Sequence, residues 1–196
     1  MYTVIGGAQS RTFRVLWFME ELGVPYEHRA AAPRSAEVTA VSALGKIPVL
    51  LEGDAVIPDS TAIMTYLADK HGAMTCPAGT LERARQDALT FRILDEIDAV
   101  LWTAARHSFI LPQQERVPQV KESLKLEFSR NLERLTAEIR GPFLMGNDLT
   151  IPDIILGHCG GWSRTAKFPD ASAPFVEYLK RLRGRDAFQR AVARGA

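Results

Sequence analysis

Apolar and polar positions change rhythm partway along the chain. Tyr2-Thr3-Val4-Ile5 predicts a short strand ended by Gly6-Gly7. From Ser10 to Leu22 the spacing predicts a helix whose apolar positions (Phe13, Val15, Leu16, Trp17, Phe18, Met19, Leu22) nearly encircle it. Such a helix needs neighbours on more than one side. Gly23 is a natural stop, Pro25 prevents continuation, and Tyr26–Ala30 predicts a second strand. A weaker helical segment covers Ser35–Val41. Pro48–Glu52 and Ala55–Ile57 flank Gly53-Asp54 as a β-hairpin, and Asp59–His71 reads as a third helix stopped by Gly72.

Beyond a breaker-rich linker, Ala73–Gly79, the rhythm is helical throughout. Leu94, Ile97, Leu101 and Ala104 recur at spacings of three to four, as do Val120, Leu124, Phe128, Leu132, Leu135 and Ile139. Leu149-Thr150-Ile151-Pro152-Asp153-Ile154 predicts a firm helix start. Thr150 stands at the N-cap, Asp153 in a capping-box position, and Leu149 and Ile154 at staple spacing. Pro152 fits the first turn, where an N–H has no intrahelical partner. Pro174 opens a further helix and Ala187–Ala193 forms a last short one.

Composition narrows the classes. The 196 residues, 46% hydrophobic and 24% charged, suffice for a sizeable core. A net charge of +1 gives no basic footprint for nucleic acid. Two cysteines, Cys76 and Cys159, exclude a disulfide scaffold and a four-cysteine metal site. No apolar run approaches the ~20 residues of a membrane span, and the expected setting is cytoplasmic. His28, His71, His107 and His158 lack metal-ligand spacing, so no metal is expected. Gly6-Gly7 lacks the remainder of a dinucleotide-binding pattern. Asp95, Glu96 and Asp98, and the run Arg181, Arg183 and Arg185, are expected on solvated faces, and Gly157, Gly160 and Gly161 are expected to permit close helix packing.

Three N-terminal features bear on chemistry. Ser10 stands at a helix start, where free N–H groups and the macrodipole favour an anion; its hydroxyl suits donation to a thiolate, or simple capping of its own helix. Pro48 opens a strand: with Ile47–Pro48 cis, Ile47 offers its backbone to an extended peptide ligand, whereas trans it is an ordinary edge residue. Asp59 and Ser60 suit the ammonium and carboxylate of an amino acid, or Asp59 merely caps its helix.

Their joint order resembles the glutathione transferase family. The matching stretches are Ser10–Trp17, Gly45-Lys46-Ile47-Pro48, Asp59-Ser60-Thr61-Ala62-Ile63 and Asn147–Asp153. The resemblance implies a thioredoxin-like α/β domain over residues 1–74, a linker over 75–82 and an all-helical domain over 83–196. It also implies a second-substrate pocket between the domains, a homodimer and a role in detoxification. Glutathione is implied as co-substrate with no further cofactor. Residue by residue, Ser10 matches the serine that activates the sulfur, and its spacing to Arg14 looks theta-like. Ile47, before an expected cis-Pro48, matches the residue whose backbone pairs with the cysteinyl part. Lys46 matches a position near the glycine carboxylate, and Asp59 and Ser60 match the pair that holds the γ-glutamyl end. Ser42-Ala43 and Asp59 depart from the family's commoner Asn-Pro and Glu. No cysteine lies near the first helix, which argues against the cysteine-type classes.

On this reading a thiol of pKa ~8.5 is converted to its nucleophilic thiolate. It attacks a small hydrophobic electrophile near Trp102, His107 and Phe109, with Trp162 a further candidate, each also suited to core packing. If Ser10 is not the activating group, Gln9, Thr12 or a backbone N–H takes that role. Peroxide reduction, dehalogenation or isomerisation on the same site, or a non-catalytic binding or regulatory role, are the competing expectations.

Overall fold

The computed structural model describes residues 1–195, which form two compact units: 1–78 together with 183–195, and 79–182. The first unit runs β1 (Tyr2–Ile5), α1 (Thr12–Leu22), β2 (Tyr26–Arg29), α2 (Ala36–Val41), β3 (Val49–Glu52), β4 (Ala55–Pro58) and α3 (Ser60–His71). Its sheet has the order β2-β1-β3-β4, with β1 parallel to β2 and antiparallel to β3, and β3 antiparallel to β4. This is the expected thioredoxin-like arrangement. Successive strand residues face opposite sides. Ile5 and Val49 pack with Val38 of α2 on one face. Val4 and Leu50, both fully buried, point to the other, where α1 and α3 lie.

Two helices begin later than their sequence pattern. Ser10 falls in a turn before α1, and Asp59 is the N-cap of α3 rather than its first residue. The encircling apolar pattern of α1 has a direct cause: the sheet and α3 cover it, and so does α9 (Asp186–Arg194). Phe188 meets Phe13 and Trp17 edge-on, at centroid distances of 5.3 and 5.0 Å. The same contact explains why residues 183–195, expected with the helical domain, are compact with the N-terminal residues instead. Charge reinforces it. Glu20 accepts from Arg190, Arg194 and Tyr26, and Glu21 accepts from Arg185 through both carboxylate oxygens at 2.6 and 2.7 Å. Arg185 is therefore an ion-pair partner, not the solvated residue expected.

The second unit is helical, as expected: α4 (Leu81–Ile93), a π-helical stretch Leu94–Asp98, α5 (Ala99–Ala105), a second π-helical stretch Arg106–Ile110, then α6 (Val120–Ala137), α7 (Ile151–Thr165) and α8 (Ala173–Arg183). The first π stretch interrupts the regular period read from Leu94 to Ala104, and Ile139 lies beyond the end of α6. Asp98, expected in solvent, is buried beside the Cys159 sulfur at 3.8 Å. The Thr150–Asp153 capping box is present. Asp153 also accepts from the Leu144 N–H and the Tyr178 hydroxyl, both at 2.8 Å. Burial pushes the Asp153 carboxyl up, against the pull of these donors. A Cβ on Gly160 would lie 2.7 Å from the Leu179 methyls, so this glycine permits close packing of α7 on α8. Among the described residues no helix is long and apolar enough to cross a membrane.

Candidate active site

One row of the sheet assembles the N-terminal motifs. Arg29 pairs with Ile5, Ile5 with Val49, and Val49 with Pro58. The chain therefore leaves β1 into Gly6, enters β3 from Ile47-Pro48, and leaves β4 into Asp59-Ser60, all at one end of the sheet. Three stretches far apart in sequence become neighbours because hydrogen-bond register fixes their strands' ends in line.

Gly6 is the pivot of this edge. Its φ of 141° favours glycine, and a Cβ there would lie 2.3 Å from the Thr12 hydroxyl oxygen and 2.9 Å from Ile47 Cβ. The start of α1 and the Ile47 segment thus close on it from two sides. His28 holds the Gly6 carbonyl oxygen through Nε2 at 2.8 Å. The Ile47–Pro48 peptide bond is cis, Pro48 is buried and Ile47 is half-buried.

Ser10 is half-buried, with its Oγ 2.7 Å from the Gly7 carbonyl oxygen and 3.0 Å from Thr12 Oγ1. Oγ also accepts the Thr12 N–H at 3.1 Å. A hydroxyl has one proton, so donation to Gly7 leaves Thr12 Oγ1–H to donate to Ser10. Ser10 thus satisfies the start of its own helix, and its donor is held by a neutral carbonyl. Thr12, fully buried, is the second hydroxyl of this turn. Only its place two residues beyond Ser10 hints at that in the sequence.

Asp59 has φ 74°, and its Oδ1 accepts from the N–H groups of Thr61 and Ala62 at 2.8 and 3.1 Å. Capping therefore occupies one carboxylate oxygen of an otherwise exposed side chain. Ser60, the first residue of α3, is 2% exposed. Lys46 is exposed. Beside it, Gly45 accepts from the Arg34 N–H at 2.8 Å, which brings a second cation, Arg34, to the same loop. Arg34 has no sequence signal of its own, because its proximity arises from the return of the chain after α2.

Residues 10–70 match the family described as glutathione S-transferase, N-terminal domain. A theta-class glutathione S-transferase from Xanthomonas axonopodis pv. citri, solved with glutathione bound, superposes at a TM-score of 0.79 with 25% identity, covering 97% of this chain and 96% of that one. Residues 10–70 of this chain belong to that N-terminal domain family. A glutathione transferase from Methylococcus capsulatus shares the fold at a TM-score of 0.86, with 23% identity over 100% of this chain and 98% of that one. A putative glutathione S-transferase alpha-2 from Dictyostelium discoideum is 26% identical over 133 residues, 68% of this chain and 59% of that protein. The chain spans between 30% and 61% of the length of the first curated relatives it matches.

Among the described residues no group of three or more His, Cys, Asp or Glu side chains is placed to hold a metal. The three residues expected at the second substrate lie in the helical unit but do not converge as a set. His107 lines one cavity of about 500 Å³, Phe109 lines another of about 260 Å³, and Trp102 lines neither. Trp162 lines the second with Phe109. The His107 Nδ1 accepts the Val117 N–H at 3.1 Å, so this ring fastens the loop that follows the second π stretch.

Proposed function

We propose that this chain is a glutathione S-transferase that binds glutathione along the Gly6, Ile47-Pro48 and Asp59-Ser60 edge and activates its sulfur as a thiolate beside Ser10. The observation that carries this reading is the Ile5–Val49–Pro58 row, which aligns all three motifs at one end of the sheet. The Ile47 backbone pairs with the cysteinyl residue as an added strand. Lys46 meets the glycine carboxylate. Asp59 offers Oδ2 to the γ-glutamyl ammonium while Oδ1 keeps its capping role. The Ser60 N–H and hydroxyl take the γ-glutamyl carboxylate.

Activation follows from an exchange of hydrogen bonds. The Ser10 hydroxyl turns from the neutral Gly7 carbonyl, a bond worth ~0.5–1.5 kcal/mol, to a charged sulfur, worth ~1.5–3 kcal/mol. The start of α1 adds ~0.3–1 kcal/mol for a negative charge. The surplus of about 1–2.5 kcal/mol lowers a thiol pKa of ~8.5 by about one to two units. No general base is required. The Thr12 hydroxyl stays as the acceptor-donor neighbour that fixes the Ser10 oxygen. The thiolate attacks the electrophilic carbon of a small hydrophobic substrate. The active protein is a cytoplasmic homodimer, as the resemblance implies; a monomeric mass in solution at micromolar concentration contradicts that part alone.

Retention on immobilised glutathione, followed by conjugation of a chlorinated nitroaromatic, tests the reading. Retention with turnover supports it. Retention without turnover leaves a binding protein, and absence of retention removes the proposed site.

A further inference from the structure

The turn that carries Ser10 begins on two glycines. Gly6 stands at φ 141°, a value that favours glycine, and neither Gly6 nor Gly7 has a Cβ to restrain the peptide plane between them. The plane before Gly6 is held by the sheet, since the Gly6 N–H donates to the Arg29 carbonyl oxygen at 2.9 Å. The plane after it lies beyond the ladder. There a side chain takes over: His28 Nε2 lies 2.8 Å from the Gly6 carbonyl oxygen. A carbonyl oxygen only accepts, so the ring carries its proton on Nε2 and donates.

The strand register places His28 for this contact. It stands in β2, at the edge of the sheet, opposite Val4, so its ring shares the face on which α1 lies and sits beside the end of β1. The residue is half-buried, which shelters the bond in part from water.

The orientation of the Gly6–Gly7 plane is felt throughout the site. Gly6 approaches Thr12 and Ile47 so closely that a Cβ would meet Thr12 Oγ1 at 2.3 Å and Ile47 Cβ at 2.9 Å. Thr12 Oγ1 lies 3.0 Å from Ser10 Oγ, and the Gly7 carbonyl oxygen lies 2.7 Å from the same atom. A rotated plane would carry the Gly7 carbonyl away and crowd Thr12, so the Ser10 oxygen would lose the contacts that define its place. Stabilisation of a charge by a hydroxyl depends on the donor being aimed before the charge forms.

We propose that His28 is a positioning residue for thiol activation: by holding the Gly6 carbonyl it keeps the Gly6–Gly7 peptide in the orientation that aims Ser10 at the glutathione sulfur. The ring acts through Gly6, Gly7 and Thr12 and does not itself touch the sulfur. This role rests on the transferase reading above.

Three substitutions of His28 test it. His28→Leu keeps bulk without a donor. His28→Gln places an amide N–H at about the reach of Nε2, and His28→Asn, one methylene shorter, does not. Ultraviolet titration of bound glutathione at saturation is expected to show the thiol ionising about half a unit or more higher in the Leu and Asn variants than in the parent, about a threefold loss of thiolate below both values. His28→Gln is expected to titrate as the parent does. Saturation separates this shift from weaker binding, and the Gln–Asn pair carries the comparison even where Leu does not fold. Without glutathione, amide hydrogen exchange across residues 6–12 is expected to quicken several-fold in the Leu and Asn variants and to stay at the parent rate in Gln. Parent-like titration in His28→Leu or His28→Asn overturns the proposal, as does a rise in His28→Gln equal to theirs, or exchange unaltered in all three. A parent protein that does not bind glutathione removes the transferase reading, and the part of His28 in activation with it. A parent that binds glutathione and lowers its thiol pKa, with every variant matching it, overturns the His28 assignment alone.

Discussion

Gly6 is wedged between Thr12 and Ile47: a Cβ added to it would meet the Thr12 hydroxyl oxygen at 2.3 Å and Ile47 Cβ at 2.9 Å. Two segments of the candidate site therefore share a single close approach of backbone to side chain. Gly6→Ala forces both apart and places an L side chain at φ 141°. Together, overpacking and backbone strain are expected to cost about 2–4 kcal/mol. Thermal unfolding measures that cost. Glutathione affinity is expected to fall further than in an equally destabilised variant of the helical unit.

Asp59 has two separable tasks. Asp59→Ala removes the cap from α3 and is expected to lower stability by about 0.5–2 kcal/mol as well as weakening glutathione binding. Asn is an equally good cap and tolerates a positive φ. Asp59→Asn is therefore expected to keep the Tm while losing affinity, because only the charge facing the ammonium is gone. Calorimetric titration beside a melting curve checks both, and unchanged affinity in the Asn variant removes Asp59 from the site.

The ion pairs that reinforce the packing of α9 on α1 are expected to make that attachment depend on pH. Burial raises the Glu20 carboxyl, but its bonds from Arg190, Arg194 and Tyr26 outweigh this and hold it below the ordinary value. A depressed carboxylate stabilises the fold fully above the unfolded pKa of ~4.3 and loses that contribution as pH falls through the folded value. Glu20→Gln is expected to cost about 1–3 kcal/mol at pH 7. The gap between variant and parent in denaturant unfolding is expected to close progressively below about pH 4.

The buried Asp153 satisfies donors from three places: Thr150, Leu144 and Tyr178. Asp153→Ala leaves two N–H groups, the Thr150 hydroxyl and a phenol without their acceptor, at an expected cost of about 3–5 kcal/mol. Unfolding of the helical unit, followed by circular dichroism, measures it.

The strands, the hairpin and the start of α7 were legible because each rests on local chemistry. Gly53-Asp54 turns the hairpin, and Thr150 and Asp153 close a capping box within four residues. The motif residues were legible as types, but their convergence depends on the Ile5–Val49–Pro58 register, which is long-range. The ownership of α9 was not legible. Arg185, just before it, read as part of a surface run because its partner Glu21 lies at the other end of the chain, as does Glu20, the partner of Arg190 and Arg194. The π stretches escaped for a similar reason, since an apolar period of three to four describes a regular helix and an interrupted one alike. Trp102, His107 and Phe109 shared a helical segment in sequence, yet that segment distributes them among different surroundings.

The activation step is tested most directly by following the ultraviolet absorbance of the bound glutathione thiolate against pH, in the parent protein and in Ser10→Ala. The thiol is expected to ionise about one to two units below its free value in the parent, and about one unit higher in the variant. Identical titration curves for the two proteins, or a bound thiol that ionises as free glutathione does, would contradict activation by Ser10.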